Sequence, residues 1–263
     1  METFFSQQST SILEGPVMIL LVASSKDVAS VNIARHILNQ YPFSKTNEAF
    51  QENPVFHAEI NGKKVRFVTL KEETINAQNL PDHFADLDLV VFISRHSSAS
   101  GTPTLSVHTP GNFGAAELGG LPRKVSVSPA TALRDALKAL MRFKEEMKLN
   151  YEVSYECTHH GPSLNVPAMF VELGSSEKQW NDLKAAEAVA HAAMEATVKF
   201  GASENVAVLG IGGPHYNQRF TKMALAIESS SIFWFLNNYF IVYEFSRDLH
   251  LKSYNCKYYL FFL

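Results

Sequence analysis

Cysteine is scarce. Two in 263 residues, Cys157 and Cys256, are too few for a disulfide framework and suit a reducing compartment. Long apolar runs are missing too, and nothing approaches the roughly 18 consecutive apolar residues of a membrane helix. Met1 to Pro16 has no basic start and carries Glu2 and Glu14, so it reads as an N-terminal extension rather than a secretory leader. The expected address is cytoplasmic, with no membrane partner. Positive charge is not in excess either. At a net charge of -3 there is no global attraction to nucleic acid, and a polyanion would have to meet a local basic patch. G-x-G-x-x-G, H-E-x-x-H and G-x-S-x-G do not occur, so no nucleotide cofactor is assigned and two common hydrolase signatures are excluded.

A hydrophobic fraction of 46% and a charged fraction of 19% are those of a globular chain, long enough for one large domain or two modest ones. Val17 to Ala23 is a continuous apolar run of strand length, followed by Ser24, Ser25 and Asp27 as candidate caps for a helix carrying Val28, Val31, Ile33, Ile37 and Leu38. Asn61-Gly62 between Phe56–Ile60 and Lys64–Leu70 signals a hairpin. Asp86 to Ile93 reads as a buried strand and Leu105 to His108 as a short one. Residues 97 to 120, rich in Ser, Gly, Thr and Pro, read as an excursion that lines something. Ser128-Pro129 is a cap followed by an N1 proline, opening a helix with an apolar stripe of Ala132, Leu133, Ala136, Leu137, Leu140 and Met141. Tyr151–Tyr155 and Ala168–Leu173 read as strands. Ser176 to Gln179 fits a capping box for an alanine-rich helix ending near Phe200, and Asn205–Ile211 is the next strand. Strands alternating with helices predict an α/β domain with a mixed, largely parallel sheet flanked by helices.

Three segments put histidine beside glycine, serine or proline directly after a strand: Ser94 to Pro103, Glu156-Cys-Thr-His-His-Gly-Pro162, and Gly210 to Thr221. Ligands of such sheets sit outside strand carboxyl ends, so the three segments are expected to converge on one site. His96, His108, Glu156, His159, His160 and His215 are raw material for a metal or general-base centre. Adjacent histidines on an extended chain point to opposite faces, so one of His159 and His160 is expected to do something else. Ser94, Ser97, Ser98 and Thr158 beside histidines leave nucleophilic catalysis open. Gly161, Gly212 and Gly213 could bring backbone N–H groups close to an oxygen, whereas Gly119-Gly120 reads as turn geometry. Arg95, Arg219 and Lys222 are candidate phosphate contacts, and Cys157 reads as inert core.

Ser94-Arg-His-Ser-Ser98, Leu105-Ser-Val-His-Thr-Pro-Gly-Asn112, Glu156-Cys-Thr-His-His-Gly-Pro162, Phe170-Val-Glu-Leu-Gly-Ser-Ser176 with Trp180, and Gly212-Gly-Pro-His-Tyr216 with Arg219-Phe-Thr221 resemble the archaeal and plant type of D-aminoacyl-tRNA deacylase, the plant branch most of all. The resemblance spans most of Val17 to Leu225. It implies a phosphorylase/hydrolase-like α/β fold, a zinc-containing enzyme, and hydrolysis of the ester between a D-amino acid and the terminal ribose of tRNA. It places His96, Glu156, His159, His160 and His215 at the reacting centre, with zinc on His159, His160 and His215. Against the substrate it places Arg95, Ser97, His108, Asn112, Thr158, Gly161, Glu172, Gly212, Gly213, Tyr216 and Arg219, with Glu172 also a candidate acid/base partner. A route through the substrate's own ribose hydroxyl would need no protein base. D-aminoacyl-tRNA is the implied partner and a monomer the expected state. Family members continue after Arg219-Phe-Thr221 with a Gly-His-Ile and a Pro-Lys-Tyr motif, which the sequence from Ala226 does not match.

The expected division is therefore residues 1–16, a deacylase domain at 17–225, and a divergent tail at 226–263. Residues 231–263 hold 12 of the 30 aromatics, with candidate strands at Phe233–Phe235 and Tyr239–Tyr243, and read as a translated non-coding or alternatively spliced end. Two rival functions stay open at this point: a zinc-dependent peptidase or amidohydrolase on a small substrate, and an inactive tRNA-binding isoform.

Overall fold

The apolar run after Val17 becomes β1 (Met18–Ser24), which is almost wholly buried, as expected of a strand covered on both faces. A computed structural model of the chain describes residues 16–202, 207–226, 235–236 and 258–262. The expected extension up to Gly15, the first two residues of the strand read at Asn205, and most of the aromatic-rich tail lie outside the described residues.

β1 leads into α1 (Val28–Gln40) and then into β2 (Ser44–Phe50), β3 (Asn53–Ile60) and β4 (Lys63–Leu70). Asn61 and Gly62 both take positive φ, 51° and 73°, which fits the two-residue hairpin that joins β3 to β4. After the single-turn α2 (Leu80–His83) come β5 (Leu89–Arg95) and β6 (Thr104–His108). The short pair β7 (Gly111–Asn112) and β8 (Lys124–Val125) follows, then α3 (Ala130–Glu146), β9 (Glu152–Tyr155) and β10 (Ala168–Gly174). The chain continues through α4 (Glu177–Trp180), α5 (Leu183–Lys199), β11 (Ala207–Ile211) and α6 (Gln218–Ala226). β11 pairs in parallel with β12 (Phe235–Leu236) and β13 (Tyr258–Phe262).

The main sheet has eight strands in the order β2-β3-β4-β1-β5-β10-β6-β9. β4, β1, β5 and β10 run parallel, β6 is antiparallel to β10, and β9 is parallel to β6. This is the mixed, largely parallel α/β sheet expected. Side chains alternate across it. On one face Ile19, Leu21, Phe67, Val91, Ile93, Val107, Val153 and Val171 pack against the buried stripes of α1, α3 and α5. On the other, Leu20, Val22, Val90, Phe92 and Phe170 meet Leu80, Phe84 and Leu164 from short segments and loops. Among the described residues no helix is long and apolar enough to cross a membrane.

Three local expectations change. β2 carries no apolar run because it is an exposed edge strand, so its sequence gave no periodic signal. Pro129 itself occupies the N-cap of α3, while the Ser128 hydroxyl is engaged with Thr109 Oγ1 at 2.8 Å. Ser176 Oγ donates to Gln179 Oε1 at 2.6 Å instead of capping backbone, and only the single turn of α4 follows. Asp182 starts the long helix α5, its carboxylate accepting from the N–H groups of Lys184 and Ala185.

Asp27 caps α1 through Ser30 N at 3.0 Å and also accepts from Arg95 N at 2.6 Å, tying the helix to the end of β5. Burial pushes its carboxyl up from 3.8 to about 6, against the pull of those two N–H groups. The folded state therefore holds this proton more tightly than the unfolded chain. Its contribution falls as pH rises from 3.8 to about 6 and is flat above. Asp27→Asn is expected to remove that slope from urea unfolding free energies measured below and above the window. Asp27→Ala is expected to cost about 1–2 kcal/mol throughout.

Candidate active site

Side-chain alternation builds the site. Phe170 and Glu172 of β10 share a face with Phe92 and Ser94 of β5 and with Ser106 and His108 of β6, because Phe170 is level with Phe92 and His108, and Glu172 with Ser94 and Ser106. The rings of Phe92, Phe170 and His108 stack in sequence at centroid distances of 4.6 and 5.0 Å, forming a floor that passes from hydrocarbon to imidazole. Each histidine-bearing segment does leave a strand at its carboxyl end. However, β5 and β10 run opposite to β6 and β9, so the groups meet on a face of the sheet and not along one shared edge.

Glu156, just past β9, is buried and links two of the segments. Its Oε2 lies 2.9 Å from His215 Nε2, and its Oε1 lies 3.1 Å from His96 Nδ1, which is also 3.4 Å from Glu172 Oε2. Burial alone would raise the Glu156 carboxyl, but the hydrogen bonds from His215 and His96 outweigh it and hold the group well below the carboxylate range. Glu172, which also takes the Ser94 hydroxyl at 2.6 Å, is held low against the same burial by the facing His108 and His96 rings. The histidines respond in kind. Burial would depress His96, yet the two carboxylates lift it to about 11; His215, likewise desolvated, is lifted to about 10 by Cys157 and Glu156.

The other three histidines each face a backbone carbonyl. His108 Nδ1 faces the Thr109 carbonyl at 3.2 Å, His159 Nδ1 the Cys157 carbonyl at 2.7 Å, and His160 Nδ1 the Gly161 carbonyl at 2.7 Å. For His159 and His160, donation to a carbonyl fixes the proton on Nδ1 and leaves Nε2 as the lone-pair nitrogen, whereas His108 Nε2 faces Glu172 Oε2 at 3.6 Å. Burial and the neighbouring rings push His159 well below its usual range and His160 down to about 4, so both stay neutral. Ligand-capable atoms of His108, His159 and His160 lie within 4.8 Å of one another. The same holds for His96, Glu156, His159 and His215, and for His108, Glu156 and Glu172. His96 Nε2, His108 Nε2 and Glu172 Oε2 are buried without a hydrogen-bond partner. Neutral imidazoles pinned through Nδ1, beside unpartnered buried atoms, suit a metal ion.

His159 and His160 were expected to diverge, yet their rings lie 4.4 Å apart and both touch His108. β9 ends at Tyr155, so the two-residue alternation no longer applies where they sit. Gly161 is wedged against Gly119-Gly120: a Cβ at Gly161 would lie 2.2 Å from Gly120 N, and one at Gly119 the same distance from Ile75 O. Gly119-Gly120 is thus a packing contact behind the histidine pair and more than a turn. Asn112 holds this loop through Gly119 O at 2.8 Å. Gln78, which no pattern in the sequence marked, clasps the backbone of Ser163 from both sides, accepting from its N–H at 2.9 Å and donating to its carbonyl at 2.6 Å.

Arg95 faces away from the cluster, its guanidinium 3.0 Å from Glu73 and 5.5 Å from the Trp180 ring centroid, while Trp180 Nε1 donates to the His96 carbonyl at 2.8 Å. Tyr216 packs edge-on to His96 and His215. Cys157 Sγ, 3.5 Å from His215 Nδ1, is more than inert core. Thr158 is buried beside the histidine pair, while Ser97 and Arg219 are exposed and Gly212 and Gly213 half-buried at the rim. Ser94 bonds a carboxylate and no histidine, which removes the basis for a Ser-His nucleophile there.

Comparison with known proteins was made against this geometry. The family described as D-aminoacyl-tRNA deacylase matches residues 83–247, running past Ala226, where the departure from the family was expected. The D-aminoacyl-tRNA deacylase of Methanoregula boonei is 43% identical over 209 residues, 79% of this chain and 43% of its own length. That of Thermococcus onnurineus is 34% identical over 214 residues, 79% of this chain and 76% of its own. A crystal structure described as a conserved protein of unknown function superposes at a TM-score of 0.73 with 30% identity, covering 84% of this chain and 77% of that one. On the family match and these identities, the chain belongs to the D-aminoacyl-tRNA deacylase family.

Proposed function

We propose that the buried His–Glu cluster is where this chain hydrolyses the ester joining a D-amino acid to the terminal ribose of tRNA, releasing free D-amino acid and tRNA. The observation that carries the assignment is one buried cluster holding two ionised carboxylates, two protonated imidazoles and two neutral ones, with His108 packed among them. An aminoacyl ester is already activated, so positioning and stabilisation of developing negative charge suffice. His96, held cationic by Glu156 and Glu172 and with Nε2 free of a hydrogen-bond partner among the described residues, is the donor for the departing ribose oxygen, while His215, engaged at both nitrogens by Glu156 and Cys157, holds Glu156 in place. Water's oxygen enters the product carboxylate and one of its protons goes to the ribose. Tyr216 and the Gly212-Gly213 rim border the amino-acid side, and Glu172 holds His96 in place.

Zinc is the metal we assign. His108, His159 and His160 would hold it, His108 taking the place expected of His215, whose two nitrogens face Glu156 and Cys157. Bound there, zinc supplies Lewis acidity toward the ester carbonyl. The deacylase unit spans residues 17–225, and the enzyme acts in the cytoplasm. Placement in the plant branch and the reading of Ala226 onward as a spliced or non-coding end belong to the same proposal. Recovery of peptides covering Tyr239 to Leu263 from the native protein would overturn the latter.

Purified chain is expected to hydrolyse D-tyrosyl-tRNA and to spare L-tyrosyl-tRNA, with the activity lost to a zinc chelator. Equal rates on both esters would sink the chiral assignment. Glu156→Gln is expected to lower kcat by roughly 100-fold or more, because it loosens the protons on His96, the donor, and on His215 beside it. Its pH–rate profile should lose activity at a lower pH than the parent's as those imidazoles fall toward their ordinary range. Gln78→Ala is expected to weaken zinc retention by about tenfold, since it frees the loop behind His159 and His160. Unchanged zinc content by elemental analysis would refute that positioning role.

A further inference from the structure

The large exposed apolar side chains of the described residues fall in two places. They are Val28, Val31 and Leu183 on one side of the site, and Leu118 and Leu121 in the loop behind Gly161. The first group sits on a continuous helical surface. α1 and the α4–α5 segment run side by side in the same direction, since Asn32 Nδ2 donates to Trp180 O at 2.9 Å and Gln40 Nε2 to Glu187 Oε1 at 2.9 Å. Val28 and Val31 therefore lie level with α4, and Arg35 with Leu183 and Lys184.

Of the five fully exposed charged side chains on this surface, four are cationic. Lys26, Arg35, Lys178 and Lys184 are exposed, and none has an ion pair among the described residues. Their acidic neighbours are mostly engaged: Asp27 and Asp182 cap helices, Glu73 holds Arg95, and Glu187 takes Gln40 and faces His191. Only Glu177 is fully exposed beside them, Asp182 and Glu187 being half-buried and Asp27 buried. In a chain of net charge -3, such a local cationic excess is what a polyanion needs. The surface also reaches the reacting centre. The Lys26 carbonyl takes Arg95 Nη1 at 3.3 Å, Arg95 lies over the Trp180 ring, and Trp180 Nε1 grips the His96 carbonyl.

We infer that the surface formed by the first turns of α1, by α4 and by the start of α5 receives the single-stranded 3′ end of the RNA substrate, with Lys26, Lys178 and Lys184 meeting phosphates and Val28, Val31 and Leu183 meeting base faces. The inference rests on the deacylase reading and adds where the nucleic acid lies. Cations tracking the backbone beside apolar and aromatic groups are the general means of holding single strands without sequence readout. Because Trp180 fixes the backbone of His96, the strand end arrives beside the histidine that donates to the ester.

The test is the variant Lys26→Glu with Lys178→Glu and Lys184→Glu, with Lys45→Glu on the edge strand β2 as control. Binding of uncharged tRNA and of a short RNA ending in 3′ adenosine would be measured as a function of salt. Hydrolysis of D-tyrosyl-tRNA would be compared with hydrolysis of the D-tyrosyl ester of adenosine alone. The triple variant is expected to bind both RNAs at least about tenfold more weakly, with a salt slope shallower by about 2, from roughly 0.7 per phosphate contact on a single strand. The ratio of activity on charged tRNA to activity on the adenosine ester should fall by a similar factor, and the control should move neither. Unchanged RNA binding overturns the inference while leaving the deacylase reading intact. So does a change confined to self-association in sedimentation, which would make the surface a contact between copies. Parent protein that hydrolyses neither ester overturns the deacylase reading, and the inference with it.

Discussion

A carboxylate taken out of water holds the centre together. Glu156 has no solvent to neutralise it, so its charge must be met by protein, and it is met by His96 from the end of β5 and His215 from the segment after β11. Those segments are far apart in sequence and follow strands of different sheets. The pairing makes the position of each a condition on the others, since removing one partner leaves buried charge uncompensated. The proton states around it follow: His96 and His215, closest to the Glu156 carboxylate, are held cationic, while burial and the neighbouring rings keep His159 and His160 neutral.

That division separates two kinds of chemistry within a few ångströms. Neutral rings pinned by backbone carbonyls offer lone pairs, and protonated rings pinned by carboxylates offer N–H groups. The helices take no direct part in either. α1, α3 and α5 cover the opposite face of the sheet, leaving the second face to loops that can carry glycine, histidine and proline where the site requires them. Rigid packing on one side supports irregular backbone on the other.

Much of this was legible in the chain. Strands buried on both faces announce themselves as apolar runs, so β1, β5 and β10 were readable, and the three histidine segments stood out by composition alone. Other features left no local mark. β2 is polar because it is an edge. Gln78 acts only through the backbone of Ser163, 85 residues away. The grouping of His108 with His159 and His160 depends on β6 lying between β10 and β9, antiparallel to the first and parallel to the second, a long-range pairing that no spacing encodes. The parity argument for His159 and His160 failed because it assumed a strand that had already ended.

The pairing of β6 with β10 has a further implication. Val107 faces the helix-packed core and His108 the cleft, each fixed by its partner on β10, Val171 and Phe170. A slip of one residue between these strands would carry an imidazole into hydrocarbon and leave an isopropyl group among the ligands. Folding energy thus proofreads the reacting centre: a misaligned sheet would be penalised by its hydrophobic interior before its chemistry was ever tried. His108 can move only if the core beneath it is rebuilt.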